Sequence, residues 1–171
     1  MPLPQALPLP SATELLQQLA DLMRPRIAPA TVLVGIHSGG VWVAEALHRS
    51  LGLTTPLATL DVSFHRDDHH IGNGLKSGGR ASHLPDDVAS APLVLVDDVL
   101  YTGRTIRAAL NELFDYGRPA QVELAVLVDR CGRELPIAAT YCPHVLPLPA
   151  SQSLDLNRDE EGVLSFKLSD K

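Results

Sequence analysis

The run Val94-Leu95-Val96-Asp97-Asp98-Val99-Leu100-Tyr101-Thr102-Gly103-Arg104-Thr105 concentrates the chemistry of this chain. Its apolar start makes a rigid strand. Two adjacent carboxylates sit at the strand's end, where they can accept hydrogen bonds from a vicinal diol. Tyr101 to Thr105 then wraps into the start of a helix, where backbone N–H groups and the helix dipole favour an anion. Gly103 lets the backbone approach closely, and Thr102 and Thr105 add hydroxyl donors. A phosphate beside a diol describes a ribose 5-phosphate. An ordinary capped turn with two solvated aspartates would explain an Asp-Asp pair alone, but not the whole pattern. No Walker A loop occurs, and Gly72-Asn73-Gly74 lacks the third glycine of a dinucleotide fingerprint.

Two more turns should open on the same edge of a sheet: His37-Ser38-Gly39-Gly40 and Asp129-Arg130-Cys131-Gly132. The surrounding pattern shows how. Residues 1–10 alternate proline with apolar residues and read as a mobile arm before a single domain over 11–171. Ser11 and Glu14 make a capping box, followed by Leu15, Leu16, Leu19, Leu22 and Met23 at helical spacing, with Pro25 and Pro29 as stops. A strand is predicted over Thr31–Ile36, a helix over Val41–Leu51 and a second strand over Thr54–Phe64. A third strand follows over Leu93–Val96, a helix over Thr105–Tyr116 closed by Gly117 as a C′ residue, and a fourth strand over Val122–Val128. Strand, turn and helix in repetition predict an α/β fold. Its central sheet is mostly parallel and twisted, helices cover both faces, and ligands bind at the C-terminal strand ends. The polar stretch between Arg66 and Pro92 reads as a long flexible lid. Short strands are expected at Ser153–Leu156 and Val163–Leu168.

The chain has 171 residues, 45% of them hydrophobic, which suits one folded domain with a substantial core. No apolar run approaches the roughly 18 residues of a membrane span. Met1-Pro2-Leu3-Pro4 lacks the basic and apolar regions of a signal peptide. A cytoplasmic location is therefore expected, with Cys131 and Cys142 as reduced thiols. His65, His69, His70 and His83 invite a metal reading. The adjacent pair would face opposite ways on a strand, and H-x₃-H spacing is absent, so a solvated lid explains them better.

The acidic-pair segment resembles the phosphoribosyl pyrophosphate (PRPP) signature of type I phosphoribosyltransferases. The longer match is to the PyrR family. Residues 96–109, Gly117-Arg118-Pro119, Leu124 to Arg130, Arg133 to Ile137, and Asp61 to Phe64 leading to Arg66-Asp67-Asp68 carry it. The resemblance implies the type I phosphoribosyltransferase fold with a small hood. It also implies two activities: uracil phosphoribosyltransferase, making UMP and pyrophosphate, and RNA-binding attenuation of pyrimidine biosynthesis. By that resemblance Asp97 and Asp98 would hold the ribose hydroxyls, and Tyr101, Thr102, Gly103, Arg104 and Thr105 the 5-phosphate. Ile36, His37, Ser38 and Gly39 would form the pyrophosphate loop. Val128, Asp129, Arg130 and Arg133 would form the uracil hood, and Arg66 would close over the site with its loop. Mg²⁺ would arrive with PRPP, touching protein only through water at Asp97 and Asp98. A homodimer or homotetramer is implied.

The chain departs from the family at three places. Thr-Arg-Gly is common after the first strand, and Ser38-Gly39-Gly40 stands here, so the arginine is missing. Cys131 occupies a position that is often glycine. The first helix has no lysine or arginine before Arg24, and net charge is −6. RNA affinity rests on phosphate neutralisation, so these charges weigh toward the enzyme. A regulator with weak or no catalysis, and a phosphoribosyltransferase for another base, stand as the alternatives.

Overall fold

The computed structural model describes residues 8–63, 82–86 and 90–171. Arg66, most of the expected lid and most of the N-terminal arm lie outside the described residues.

Ser11 caps helix α1 (Ala12–Met23) by accepting the Glu14 N–H at 3.3 Å. Then come β1 (Val32–Ile36), α2 (Gly39–Leu51), β2 (Ala58–Leu60), β3 (Pro92–Leu100), α3 (Arg104–Tyr116) and β4 (Gln121–Asp129). The described chain continues through β5 (His144–Val145), β6 (Gln152–Arg158) and β7 (Leu164–Asp170). Five strands form one parallel sheet in the order β2-β1-β3-β4-β5. Because they run one way, the turns after β1, β3 and β4 share the C-terminal edge, as predicted. Strands β6 and β7 pair antiparallel as a separate hairpin.

Successive side chains of a strand face opposite sides, and the core divides accordingly. Leu33, Val94, Val96, Ala125 and Leu127 point to α1, α2 and hairpin residues Leu154 and Leu156. Val34, Ile36, Leu93, Leu95, Leu124 and Val126 point to Ile106, Ala109 and Leu113 of α3. Helices thus cover both faces. No helix among the described residues is long and apolar enough to cross a membrane.

Several boundaries differ from the sequence expectation. Strand β2 is short because Thr55 and Pro56 belong to a tight approach: the Thr55 hydroxyl donates to the Thr31 carbonyl at 2.6 Å, and the His48 ring meets the Thr55 carbonyl at 2.6 Å. Strand β3 does not stop at Val96. It carries Asp97 and Asp98 within it, because β4 extends beside it and pairs Val99 with Val128 and Leu100 with Asp129. Gly117 follows α3 in extended backbone, not in the left-handed turn expected of a C′ glycine. The expected tail strands form the hairpin, each longer than predicted.

Candidate active site

The acidic pair is held by backbone. Asp97 Oδ1 accepts the Asp98 N–H at 2.9 Å, and Asp98 Oδ1 accepts the Val99 N–H at 2.9 Å. Asp97 is buried to 8% exposure. The turn after β1 presses directly on this pair. A Cβ on Gly39 would stand 2.7 Å from Asp98 Cγ, and one on Gly40 would collide with the Val96 carbonyl and stand 3.0 Å from Asp97 Cα. Two glycines in a row are what let β1's turn lie against β3's carboxylates. The His37–Ser38 peptide is cis.

Beyond β3, Gly103 has φ 93° and caps α3. The loop before it is pinned from outside, because the N–H groups of Glu134 and Leu135 both donate to the Thr102 carbonyl, at 2.9 and 3.1 Å. The Thr102 hydroxyl accepts the Arg104 N–H at 3.2 Å, and Arg104 Nε donates to Glu134 at 2.8 Å. The start of α3 is therefore fixed by the Glu134–Leu135 segment packed outside it.

These elements enclose a cleft of about 900 Å³. His37, Ser38, Gly39, Asp97, Asp98 and all of Tyr101 to Thr105 line it. So do Arg130 and Glu134, with Ser153, Leu154, Asp155 and Lys171 from the hairpin. The two expected subsites, acidic pair and phosphate loop, thus share one cavity with the turn after β1.

Four of the named residues sit behind the cleft. Ile36 and Val128 are fully buried core residues. Arg133 and Asp129 form an ion pair beneath the loop, with Arg133 also donating to the carbonyls of Tyr101 and Ile137. Arg66 lies outside the described residues. Glu134 and the hairpin residues are cleft residues that the sequence pattern does not single out. The hairpin's alternation of apolar residues marks strands but not where they land.

The two cysteines are free. Cys142 donates to the His144 carbonyl at 3.2 Å, and burial pushes its thiol above the usual value. Cys131 has φ 63°, a left-handed backbone that explains a glycine preference at this position.

Residues 11–143 match the model of the phosphoribosyl transferase domain. Bifunctional protein PyrR of Pseudomonas aeruginosa strain LESB58 is 53% identical over 156 residues, spanning 89% of this chain and 86% of that protein. This chain belongs to the PyrR family. Bifunctional protein PyrR of Nitrosococcus oceani is 49% identical over 161 residues, spanning 93% of this chain and 88% of that protein. Among solved structures, a hypoxanthine phosphoribosyltransferase of Trypanosoma cruzi has a TM-score of 0.61 at 18% identity, covering 80% of this chain and 79% of its own. One from Staphylococcus aureus has a TM-score of 0.60 at 20% identity, covering 78% and 74%. These neighbours share the type I phosphoribosyltransferase fold. The β6–β7 hairpin of this PyrR-family chain lies beyond the matched domain, yet it supplies a wall of the cleft.

Proposed function

We propose that this chain is a uracil phosphoribosyltransferase, converting uracil and PRPP to UMP and pyrophosphate. The observation that carries this reading is one cleft lined jointly by Asp97, Asp98, the loop Tyr101–Thr105 and the turn His37–Gly39. Breaking the C1–pyrophosphate bond leaves positive charge on the ribose and negative charge on the leaving group. Asp97 and Asp98 accept the ribose hydroxyls and hold negative charge beside the ring. The loop's N–H groups and the start of α3 anchor the 5-phosphate. Backbone N–H groups and Ser38 serve the pyrophosphate where relatives carry an arginine. Arg130, with Asp129, Arg133 and Val128 behind it, orders the base end. Arg66 and its loop close over the site by analogy with the family.

Hard carboxylate oxygens on one wall suit Mg²⁺, which keeps waters and takes substrate oxygens. When bound with PRPP it neutralises charge on the departing pyrophosphate. The chain's own contribution is preorganised geometry: carboxylates fixed by backbone, and a cavity already shaped for the sugar.

Incubation with uracil, PRPP and Mg²⁺ should yield UMP. No UMP above background, beside an active control enzyme, removes the reading. Replacing uracil by other bases tests base choice, and sedimentation tests the homodimer or homotetramer that the family resemblance implies.

The name of the relatives, a bifunctional protein, supports a second reading as an RNA-binding regulator. Helix α1 opposes it, having Glu14 in its first turn and no basic residue in its last. Binding of pyrimidine-operon leader RNA that falls steeply with salt would favour this role; no binding at about 0.1 M salt would remove it.

A further inference from the structure

Arg130 follows β4 and is only 3% exposed, an unusual place for a guanidinium. Three parts of the molecule converge on it. Its backbone N–H donates to the Leu100 carbonyl at the end of β3, at 3.0 Å. Its Nη1 and Nη2 donate to the carbonyls of Gln152 and Pro149 at 2.8 and 3.0 Å, where the chain enters the β6–β7 hairpin. Its guanidinium carbon sits 3.9 Å from the centroid of the Tyr101 ring. Its Nε is buried with no hydrogen-bond partner among the described residues. A buried donor left unpaired is costly, and the stack on Tyr101 is the interaction this arrangement preserves.

Tyr101 belongs to the loop that fronts α3, and the hairpin supplies the opposite wall of the same cleft. We propose that Arg130 is a positioning residue that couples the two: filling of the phosphate loop and seating of the hairpin wall are linked through the Tyr101–Arg130 stack and the two carbonyl bonds. The coupling rests on the reading of that loop as the ribose 5-phosphate site. It makes the wall at the base end depend on whether the sugar phosphate is bound.

The far end of β6 carries its own reporter. Arg158 lies over the ring of Trp42 at 5.0 Å and pairs with Glu45 at 3.5 Å, both on α2. The chain has one tryptophan, so its emission reads the seating of the hairpin against α2.

The test uses ribose 5-phosphate and the full chain, with calorimetry for binding and Trp42 emission for the hairpin. In the wild type the two signals should saturate at the same concentration. Arg130→Met should weaken binding about tenfold, the scale of a buried cation–π contact, and abolish the emission change. Arg130→Lys keeps the charge but cannot fork to both carbonyls, so it should restore binding in part and the emission change little. If Arg130→Met does not fold, Tyr101→Leu breaks the link from the other side and should silence the emission in the same way. Tyr101→Phe keeps the ring and with it the stack on Arg130, so at saturating ribose 5-phosphate its emission change should persist. Binding without an emission change in the wild type overturns the coupling and leaves the site reading standing. An emission change that survives intact in Arg130→Met or Tyr101→Leu does the same. Absence of ribose 5-phosphate binding in the wild type overturns the site reading and the coupling with it.

Discussion

Gly39 lies against Asp98 so closely that a Cβ at position 39 would stand 2.7 Å from the Asp98 carboxyl carbon. The neighbouring Gly40 makes a different approach, toward the Val96 carbonyl and the Asp97 backbone. The two glycines therefore predict opposite phenotypes. Gly39→Ala meets a side-chain carboxylate, which turns aside. Stability should change little, while kcat/KM should fall about a hundredfold, the scale of a misplaced catalytic group. Gly40→Ala meets main chain, which cannot turn aside, and should destabilise the fold by about 2 kcal/mol. Urea unfolding together with UMP kinetics separates them. Equal stability losses in both variants would show that the contacts are not selective. In this chain a Cβ at position 39 meets Asp98, so an arginine side chain placed there starts from a blocked position. Gly39→Arg should accordingly fail to tighten PRPP binding.

Cys131 occupies left-handed backbone at φ 63°. A residue with a Cβ costs about 1 kcal/mol there, offset in part by the larger entropy that glycine loses on folding. Cys131→Gly should raise stability by up to about 1 kcal/mol. Cys131→Val should lower it by more than that, because a β-branched side chain tolerates this region worst. Thermal melts of the three proteins provide the check, and a Cys131→Gly protein that melts well below the wild type would contradict the strain argument.

The parallel sheet, its helices and the loop that leads into α3 were legible because each depends on local pattern. An apolar run, a turn and an amphipathic helix are written within some thirty residues. The length of β3 was not legible. Asp97 and Asp98 interrupt the apolar run that marks a strand, and only the register against β4 carries the strand on to Leu100. Glu134 escaped for a similar reason. Its part depends on its N–H reaching the Thr102 carbonyl across 32 positions of chain, and on its carboxylate meeting Arg104. The hairpin wall was half legible: Leu154 and Leu156 alternate with polar residues, which predicts strands. Their packing beneath α1 and α2 is set by the tertiary core. Among the proposed hood residues, only Arg130 reaches the cleft. Sequence adjacency to Asp129 could not distinguish a lining residue from one whose carboxylate faces Arg133.

The Arg133–Asp129 pair carries the third prediction. Its side chains are 24% and 19% exposed, and Arg133 also donates to the carbonyls of Tyr101 and Ile137. Arg133→Ala strands a partly buried carboxylate and leaves two carbonyls without their donor. Removing one partner of a buried pair typically costs about 3 kcal/mol. Some of that should be recovered in Arg133→Lys, which keeps the charge but loses the fork geometry. Denaturant unfolding of the three proteins at neutral pH gives the ranking. A loss below about 0.5 kcal/mol for the alanine variant, the range of an exposed ion pair, would mean that solvent replaces the contacts.

Tyr141 gives the protein a defined alkaline limit. Its ring is buried at 2% exposure, its hydroxyl donates to Glu123 at 2.7 Å, and Arg26 lies 5.0 Å over the ring. Burial, then the hydrogen bond and the charge of Glu123, push the phenol up to about 12 from 10.0, against a smaller opposing effect of Arg26. The neutral form is the one the fold favours. In the unfolded chain the proton leaves near 10, while the folded chain holds it until about 12. The unfolded state therefore binds fewer protons across that window, and stability falls as pH rises through it. Below pH 10 the contribution is fully present. Tyr141→Phe lacks the ionisation and also lacks the hydrogen bond, which is worth about 1 kcal/mol. At pH 8 the variant should be less stable than the wild type by that amount. Between pH 10 and 12 the wild type should lose stability faster, so that the gap narrows. Urea midpoints at pH 8, 10 and 11.5 test this, and parallel decline of the two proteins would show that Tyr141 does not set the alkaline limit.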